Sequence, residues 1–363
     1  MSHQQQKHLP VYTEAESDTI VEAEDLTVSF DLDRGESRVL NSVDMTIERG
    51  EILGVVGESG SGKSMFASAL LDAVPEPGIT SGSIRFHPEE GEPVDVLDQS
   101  EEELRQMRWE DISMVFQGAM DSWNPTMTIG KHFEETLKAH NVPKGEGMER
   151  ARELIDNVYL DPDRVLNAYP HELSGGMKQR ALIALSLVLD PEVLVMDEPT
   201  AALDLLMQRS IIALLSELRD EYNLTMLFIT HDLELAAGLA DRIAVLYAFE
   251  FVEVGSADDI IYNGNHPYTR ALINSTPNLE TPVEAMEPIR GESPDPVNVP
   301  TGCSYHSRCP LADEFCETND PDMMITNDDD ADANETVHAS ACHYWEQVPE
   351  QVPLHIEGVR QDE

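Results

Sequence analysis

The apolar positions of this chain change rhythm along its length. LTVSF (26–30) and VDMTI (43–47) alternate, the period of half-buried edge strands, with DLDRGES between them as a hairpin loop. SIRF (83–86) and VDVL (94–97) continue that β-rich layer. EILGVVG (51–57), EVLVMDE (192–198) and LTMLFIT (224–230) are continuous apolar runs, so they read as strands buried on both faces. Helical spacing marks KSMFASALLDAV (63–74), most of residues 99–190, and LLMQRSIIALLSELRDEY (205–222). IAVLY and FVEV add two strands, and HPYTRALINSTP (266–277) a closing helix. Strand–helix alternation of this kind predicts an α/β fold with a parallel, doubly wound sheet. Past residue 277 the composition shifts to prolines, acids and all four cysteines.

Charge changes the picture next. The 363 residues carry 70 acids against 23 bases, a net −47, and only six of the bases are lysine. The excess runs along the whole chain, whereas an acidic partner-binding face would be a localised run. A uniformly acidic, lysine-poor surface suits a high-salt cytoplasm, where self-repulsion is screened, so a halophilic source is expected. It also counts against a nucleic-acid partner, whose phosphates need clustered Lys and Arg. Residues 1–22 read as a disordered acidic lead with no apolar signal core. ALIALSLVL (181–189) is about half the ~18 residues of a membrane span. The expectation is a soluble chain that works at a membrane only through another protein.

Gly57-Glu58-Ser59-Gly60-Ser61-Gly62-Lys63-Ser64 fits G-x-x-x-x-G-K-S/T between a strand and a helix. Glycines let successive N–H groups curl round phosphate oxygens, and the helix start adds its positive dipole end. Lys63 would reach the β- and γ-phosphates and Ser64 would ligate Mg²⁺. Val193–Met196 end in Asp197 and Glu198 at a strand's carboxyl edge, beside where a nucleotide would lie. Asp197 would hold the Mg²⁺ shell, and Glu198 would orient and polarise the attacking water. Between them, Leu173-Ser174-Gly175-Gly176-Met177-Lys178-Gln179-Arg180 opens a helix. Ser-Gly-Gly there suits either a plain helix cap or a second anion site.

That octet, in that order between the phosphate loop and the acidic strand, resembles the signature motif of ATP-binding cassette proteins. The resemblance spans residues 24–277 and implies their fold: a P-loop cassette with a parallel core sheet, a β-rich subdomain and a helical subdomain at about 118–190. The cassette would run over 23–277, followed by an extension over 278–363. It implies that Gln117, in MVFQ, contacts Mg²⁺ and water and senses a transmembrane partner. It also implies that Ala202-Leu203-Asp204 is the D-loop and that His231, in FITHD, contacts the γ-phosphate. Phe30 would stack on adenine, although a core Phe fits the same alternation. In such proteins the signature of one subunit caps the γ-phosphate held by the other, so Leu173, Ser174, Gly175, Gly176 and Gln179 would complete a partner's site.

SWNPTMTIG (122–130) and HPYTRAL (266–272) are similar to segments of the oligopeptide and dipeptide importer ATPases. The family's usual QDP is QGA here (117–119), and its MYAG turn is YAFEF (247–251). Cys303, Cys309, Cys316 and Cys342 are spaced C-x5-C-x6-C-x25-C. Four thiolates could form two disulfides, hold one zinc, or hold a [4Fe–4S] cluster. The importer ATPases carry similar tails, some with such a cluster, which makes the cluster the expectation and zinc the alternative. The resemblance thus implies an ATPase subunit of a peptide importer, peripheral on the cytoplasmic membrane face. It would pair with transmembrane permease subunits, a second cassette subunit and, through the complex, an extracellular solute-binding protein. An importer of another solute, such as an oligosaccharide, and a soluble cassette ATPase are the alternatives.

Overall fold

The computed structural model describes residues 18–118, 122–201, 203–275, 289–327 and 336–354. The chain opens with a long hairpin, β1 (Thr19–Leu32) and β2 (Gly35–Glu48), turning at residues 33–34. β1 therefore starts inside the segment expected to be a disordered lead. Both strands outrun the short alternating stretches that announced them, because each lends the other its hydrogen-bond ladder. β3 (Ile52–Val56) leads into α1 (Lys63–Ala69). β4 (Ile79–Phe86) and β5 (Val94–Asp95) join the hairpin in a four-stranded antiparallel layer of order β2-β1-β4-β5.

After α2 (Glu101–Glu110) comes β6 (Ile112–Val115), a strand inside a stretch that reads as helical from sequence. Then follow α3 (Ile129–Ala139), α4 (Lys144–Asn157), α5 (Pro162–Asn167) and α6 (Gly175–Ser186). β7 (Val193–Asp197), α7 (Leu205–Tyr222), β8 (Thr225–Ile229), α8 (Leu233–Ala237), β9 (Arg242–Tyr247) and β10 (Glu250–Ser256) complete the second sheet's main strands. α9 (Ala257–Asn263) and α10 (Pro267–Ser275) close the cassette. The core order β9-β3-β8-β7-β6 is parallel throughout, and β10 runs antiparallel to β9.

Strands buried on both faces divide their side chains between two cores. Ile52 and Val56 of β3, with Leu194 and Met196 of β7, face the helical side. Leu53, Val55, Val193 and Val195 face the antiparallel layer and α1. Period-two alternation thus persists inside runs that look uniformly apolar.

The extension is stitched into the cassette. β11 (Met324–Ile325) and β12 (Ala339–Ser340) prolong the main sheet, with β12 paired to β10. Tyr305 is 3% exposed within the helical-side core, and Cys303 and Cys309 pack against it. The tail has few apolar residues of its own and borrows a core from its neighbour. Among the described residues, no helix is long and apolar enough to cross a membrane.

Candidate nucleotide site

Parallel strands all end on the same sheet edge, and that edge gathers the candidate residues. The phosphate loop leaves β3, Gln117 lies just past β6, Asp197 and Glu198 end β7, and His231 lies just past β8. Gly57 (φ 153°) and Gly62 (φ 114°) occupy the left-handed region. A Cβ at Gly57 would lie 2.2 Å from the Leu246 carbonyl oxygen, and one at Gly62 2.5 Å from that of Val39, so both positions demand glycine. Lys63 is 5% exposed, and its Nζ donates to the carbonyls of Gly57 and Glu58, each at 2.8 Å. Burial pulls this ammonium below its usual pKa, against the attraction of Glu198, Asp197 and Glu58.

Asp197 is 3% exposed, and burial raises its pKa although the Ser64 hydroxyl donates to it and Lys63 attracts it. Its Oδ1 is buried without a protein partner. A carboxylate oxygen left free beside a serine hydroxyl is a donor set that fits Mg²⁺. Glu198 takes a hydrogen bond from Gln117 Nε2 at 3.0 Å on Oε2, and its Oε1 lies 3.1 Å from His231 Nδ1. Its backbone is left-handed (φ 48°) and its N–H donates to the Ile229 carbonyl at 2.9 Å. A β-branched or bulky residue would be costly there, and the side chain is held over the loop. Ser59, Gly60, Gly62, Lys63, Ser64, Gln117 and Glu198 line one open cleft with Val39 and Met65.

Other expectations fall elsewhere. Phe30 is half-buried against the antiparallel-side core, with its ring beside Gly78, and is not among the residues lining the cleft. The core alternative for Phe30 therefore has packing behind it. Val39 and Met65, which sequence reasoning missed, supply the cleft's apolar walls, and no local signal marks them.

The signature segment does not line this cleft either. Ser174 caps α6, accepting from the Met177 N–H at 3.3 Å, so the plain cap is real. The side chain of Ser174 and the backbone of Gly175 remain exposed, Gly176 packs against Met207, and Gln179 is 2% exposed with its Nε2 unpartnered. Asp204 caps α7, accepting from the Met207 N–H at 3.0 Å, and Leu203 is half-buried. Ala202, and Ala119 of the QGA variant, lie outside the described residues.

The four cysteines are free thiols, Cys316 and Cys342 buried and Cys303 and Cys309 half-buried. The two-disulfide reading thus finds no bonded pair. Burial pushes Cys303 and Cys309 up to about 11 and Cys342 up to about 12, and it raises Cys316 as well. Each of Cys303, Cys309 and Cys342 also feels the charge of other members of the set. Among the described residues, however, no three His, Cys, Asp or Glu side chains converge closely enough to hold an ion.

This fold and cleft define a P-loop nucleotide-binding cassette, and comparison with known proteins agrees. The family model described as "ABC transporter" matches residues 40–201, and that of the "Oligopeptide/dipeptide transporter, C-terminal region" matches 252–316. The dipeptide transport ATP-binding protein DppD of Caldanaerobacter subterraneus subsp. tengcongensis is 42% identical over 331 residues, 90% of this chain and 98% of that protein. The oligopeptide transport ATP-binding protein OppD of Escherichia coli is 40% identical over 308 residues, 84% of this chain and 90% of that one. Among solved structures, the dimeric bacterial ABC transporter cassette MJ0796 superposes with a TM-score of 0.57 at 27% identity, covering 66% of this chain and 99% of that one. The chain belongs to the ABC transporter ATPases, in the branch of the oligopeptide and dipeptide ATP-binding proteins.

Proposed function

We propose that this chain is the ATP-hydrolysing subunit of an importer for di- or oligopeptides, seated on the cytoplasmic face of the membrane against permease subunits. The observation that carries the reading is the Glu198 carboxylate, held between Gln117 and His231 at the rim of the phosphate loop. Residues 57–64 hold the phosphates of ATP. Ser64, Asp197 and Gln117 would hold Mg²⁺, which would supply positive charge to offset that of the phosphates. Glu198 accepts a hydrogen bond from the attacking water and aims it at the γ-phosphorus, while His231 steadies that carboxylate and reaches the γ-phosphate. Ser174, Gly175 and Gly176 close over the nucleotide of a second cassette, so turnover belongs to a pair, of like chains or of related ones. The catalysis is positioning and electrostatics rather than covalent chemistry. Phe116 is 52% exposed next to Gln117, which supports this edge as the contact with the permease.

The test is reconstitution with peptide permease subunits and a solute-binding protein from the same source. ATPase activity stimulated by peptide-loaded binding protein is expected. Stimulation by an oligosaccharide and not by peptides would transfer the reading to a sugar importer, and activity indifferent to the permease would favour a soluble ATPase.

The cysteine segment supports a second, separate reading. Four cysteines without a disulfide among them, the same four that a single zinc would use, match the ligand count of a [4Fe–4S] cluster. Cys303, Cys309, Cys316 and Cys342 would hold it, and it would supply a crosslink to a tail with little core of its own. Anaerobically purified protein should contain iron and sulfide near four per chain. Stoichiometric zinc without iron would remove the cluster.

A further inference from the structure

The cysteine segment reaches back to the phosphate loop. Arg308, adjacent to Cys309, ends a short 3₁₀ turn (His306–Arg308), and its side chain is 4% exposed. Its Nη1 and Nη2 donate to Glu58 Oε2 at 2.7 Å and Oε1 at 3.0 Å. Two parallel charged hydrogen bonds fix the plane of the carboxylate as well as its distance. Arg308 is itself held: Nε donates to the Arg290 carbonyl at 2.6 Å, and Nη1 to the Tyr247 hydroxyl at 3.3 Å. The guanidinium also lies over the rings of Tyr247 and Tyr305, 5.6 and 5.8 Å from their centroids.

Glu58 is the second residue of the phosphate loop, and it is anchored at three points. Arg308 holds its side chain, its N–H donates to the Tyr268 hydroxyl at 2.8 Å, and its carbonyl accepts from Lys63 Nζ at 2.8 Å. Tyr268 is fully buried, with its ring 4.4 Å from that of Tyr247 and 5.5 Å from that of Tyr305. Three tyrosines from β9, α10 and the extension thus form a wall behind the loop. The phosphate-loop pattern leaves position 58 open to any residue, so hydrolysis itself asks for no acid there. Glycine gives the loop its reach but also its freedom: the space around Gly60 is open within 4 Å. A loop ordered in advance binds its ligand more tightly than one ordered on binding.

We propose that Arg308, acting through Glu58, is a positioning residue for the phosphate loop, so that the cysteine-bearing extension presets this chain's own ATP site. The proposal rests on the reading of residues 57–64 as that site. A purely structural role would make the same ion pair a staple for the extension, with no effect on nucleotide.

The experiment uses the full-length chain with Mg²⁺ and a fluorescent ATP analogue. Dissociation constants and thermal midpoints are measured for the parent, Arg308→Lys, Arg308→Gln, Glu58→Gln and the Arg308→Gln/Glu58→Gln double variant. Each single loss of the pair should weaken nucleotide binding about three- to tenfold, the double should be no weaker than the worse single, and Arg308→Lys should recover part of the loss. In the assembled transporter the change should appear in KM for ATP with kcat nearly unchanged. Unchanged dissociation constants with a lowered midpoint, or losses that add in the double variant, would overturn the proposal. If Arg308→Gln does not fold, Glu58→Gln and Arg308→Lys carry the same comparison. A parent chain that does not bind the analogue sinks the phosphate-site reading and this inference together, whereas a binding parent with indifferent variants sinks this inference alone.

Discussion

Two glycine turns open helices in this chain, and they are finished to different degrees. Around residues 57–64 the chain supplies nearly everything itself: two carbonyls hold Lys63, while Arg308 and Tyr268 hold Glu58. Around residues 173–176, Ser174 and Gly175 face solvent, and Ser174 only caps its own helix. Beside them Gly176 leans on Met207 of α7, whose first turn exposes Leu205 and Leu206 at 58% and 79%. The first turn is a site within one chain. On the proposed function the second would be half of a site completed by another cassette, with these two exposed leucines beside it.

The largest expected effect separates chemistry from binding in the finished half. Glu198→Gln should lower turnover of the assembled transporter by about 10²–10⁴ while ATP stays bound, because only the water-polarising group is lost. Steady-state rates within tenfold of the parent would remove that role. In the unfinished half, Ser174→Arg should lower turnover by roughly a hundredfold, as for loss of one transition-state donor, yet leave the isolated chain's affinity for ATP within about twofold. A matching loss of affinity would mean the two turns serve one site after all. Lys63→Ala should do the reverse, weakening nucleotide binding about 10- to 100-fold, which equilibrium binding to the isolated chain would read.

The smallest effect lies under the finished half, at the foot of β3. Burial raises Glu51 to about 7 from 4.5, outweighing the attraction of Arg242, whose Nη2 lies 3.2 Å from Oε1. A carboxyl raised in the folded state contributes stability that is full below 4.5 and lost as pH climbs through about 7. Denaturant unfolding in high salt should therefore show stability falling between about pH 4.5 and pH 7 and levelling off above. Glu51→Gln, which stays neutral, should remove that fall, on the order of 3 kcal/mol across the window. An unchanged slope would show that Arg242 keeps Glu51 charged throughout.

The finished half was the more legible. β3, β7 and β8 stood out as apolar runs, and the helix expected over 205–222 is α7 residue for residue. β6 was hidden because four buried residues carry no period that distinguishes strand from helix. The apolar pattern of KSMFASALLDAV continues to 74, but α1 stops at Ala69 and Asp72 turns left-handed (φ 45°), which pattern alone does not announce. Phe30 alternates as either an adenine platform or a core residue would, and the fold adds its half-buried packing against the antiparallel-side core. For the cysteines, count and spacing were readable, but their burial was not.

What the amino-acid sequence determined by itself was local: a glycine loop between a buried strand and a helix, an acidic pair closing another strand, and a serine-glycine helix start. Such features depend on backbone freedom and on neighbours a few residues away. What only the tertiary structure decided was convergence. Gln117 meets Glu198 across 81 residues, His231 meets it across 33, and Arg308 meets Glu58 across 250. Those meetings follow from the order in which parallel strands lie side by side and from the extension folding back over β9 and α10. No pattern within a short window encodes either, because both are settled by which buried surfaces find each other.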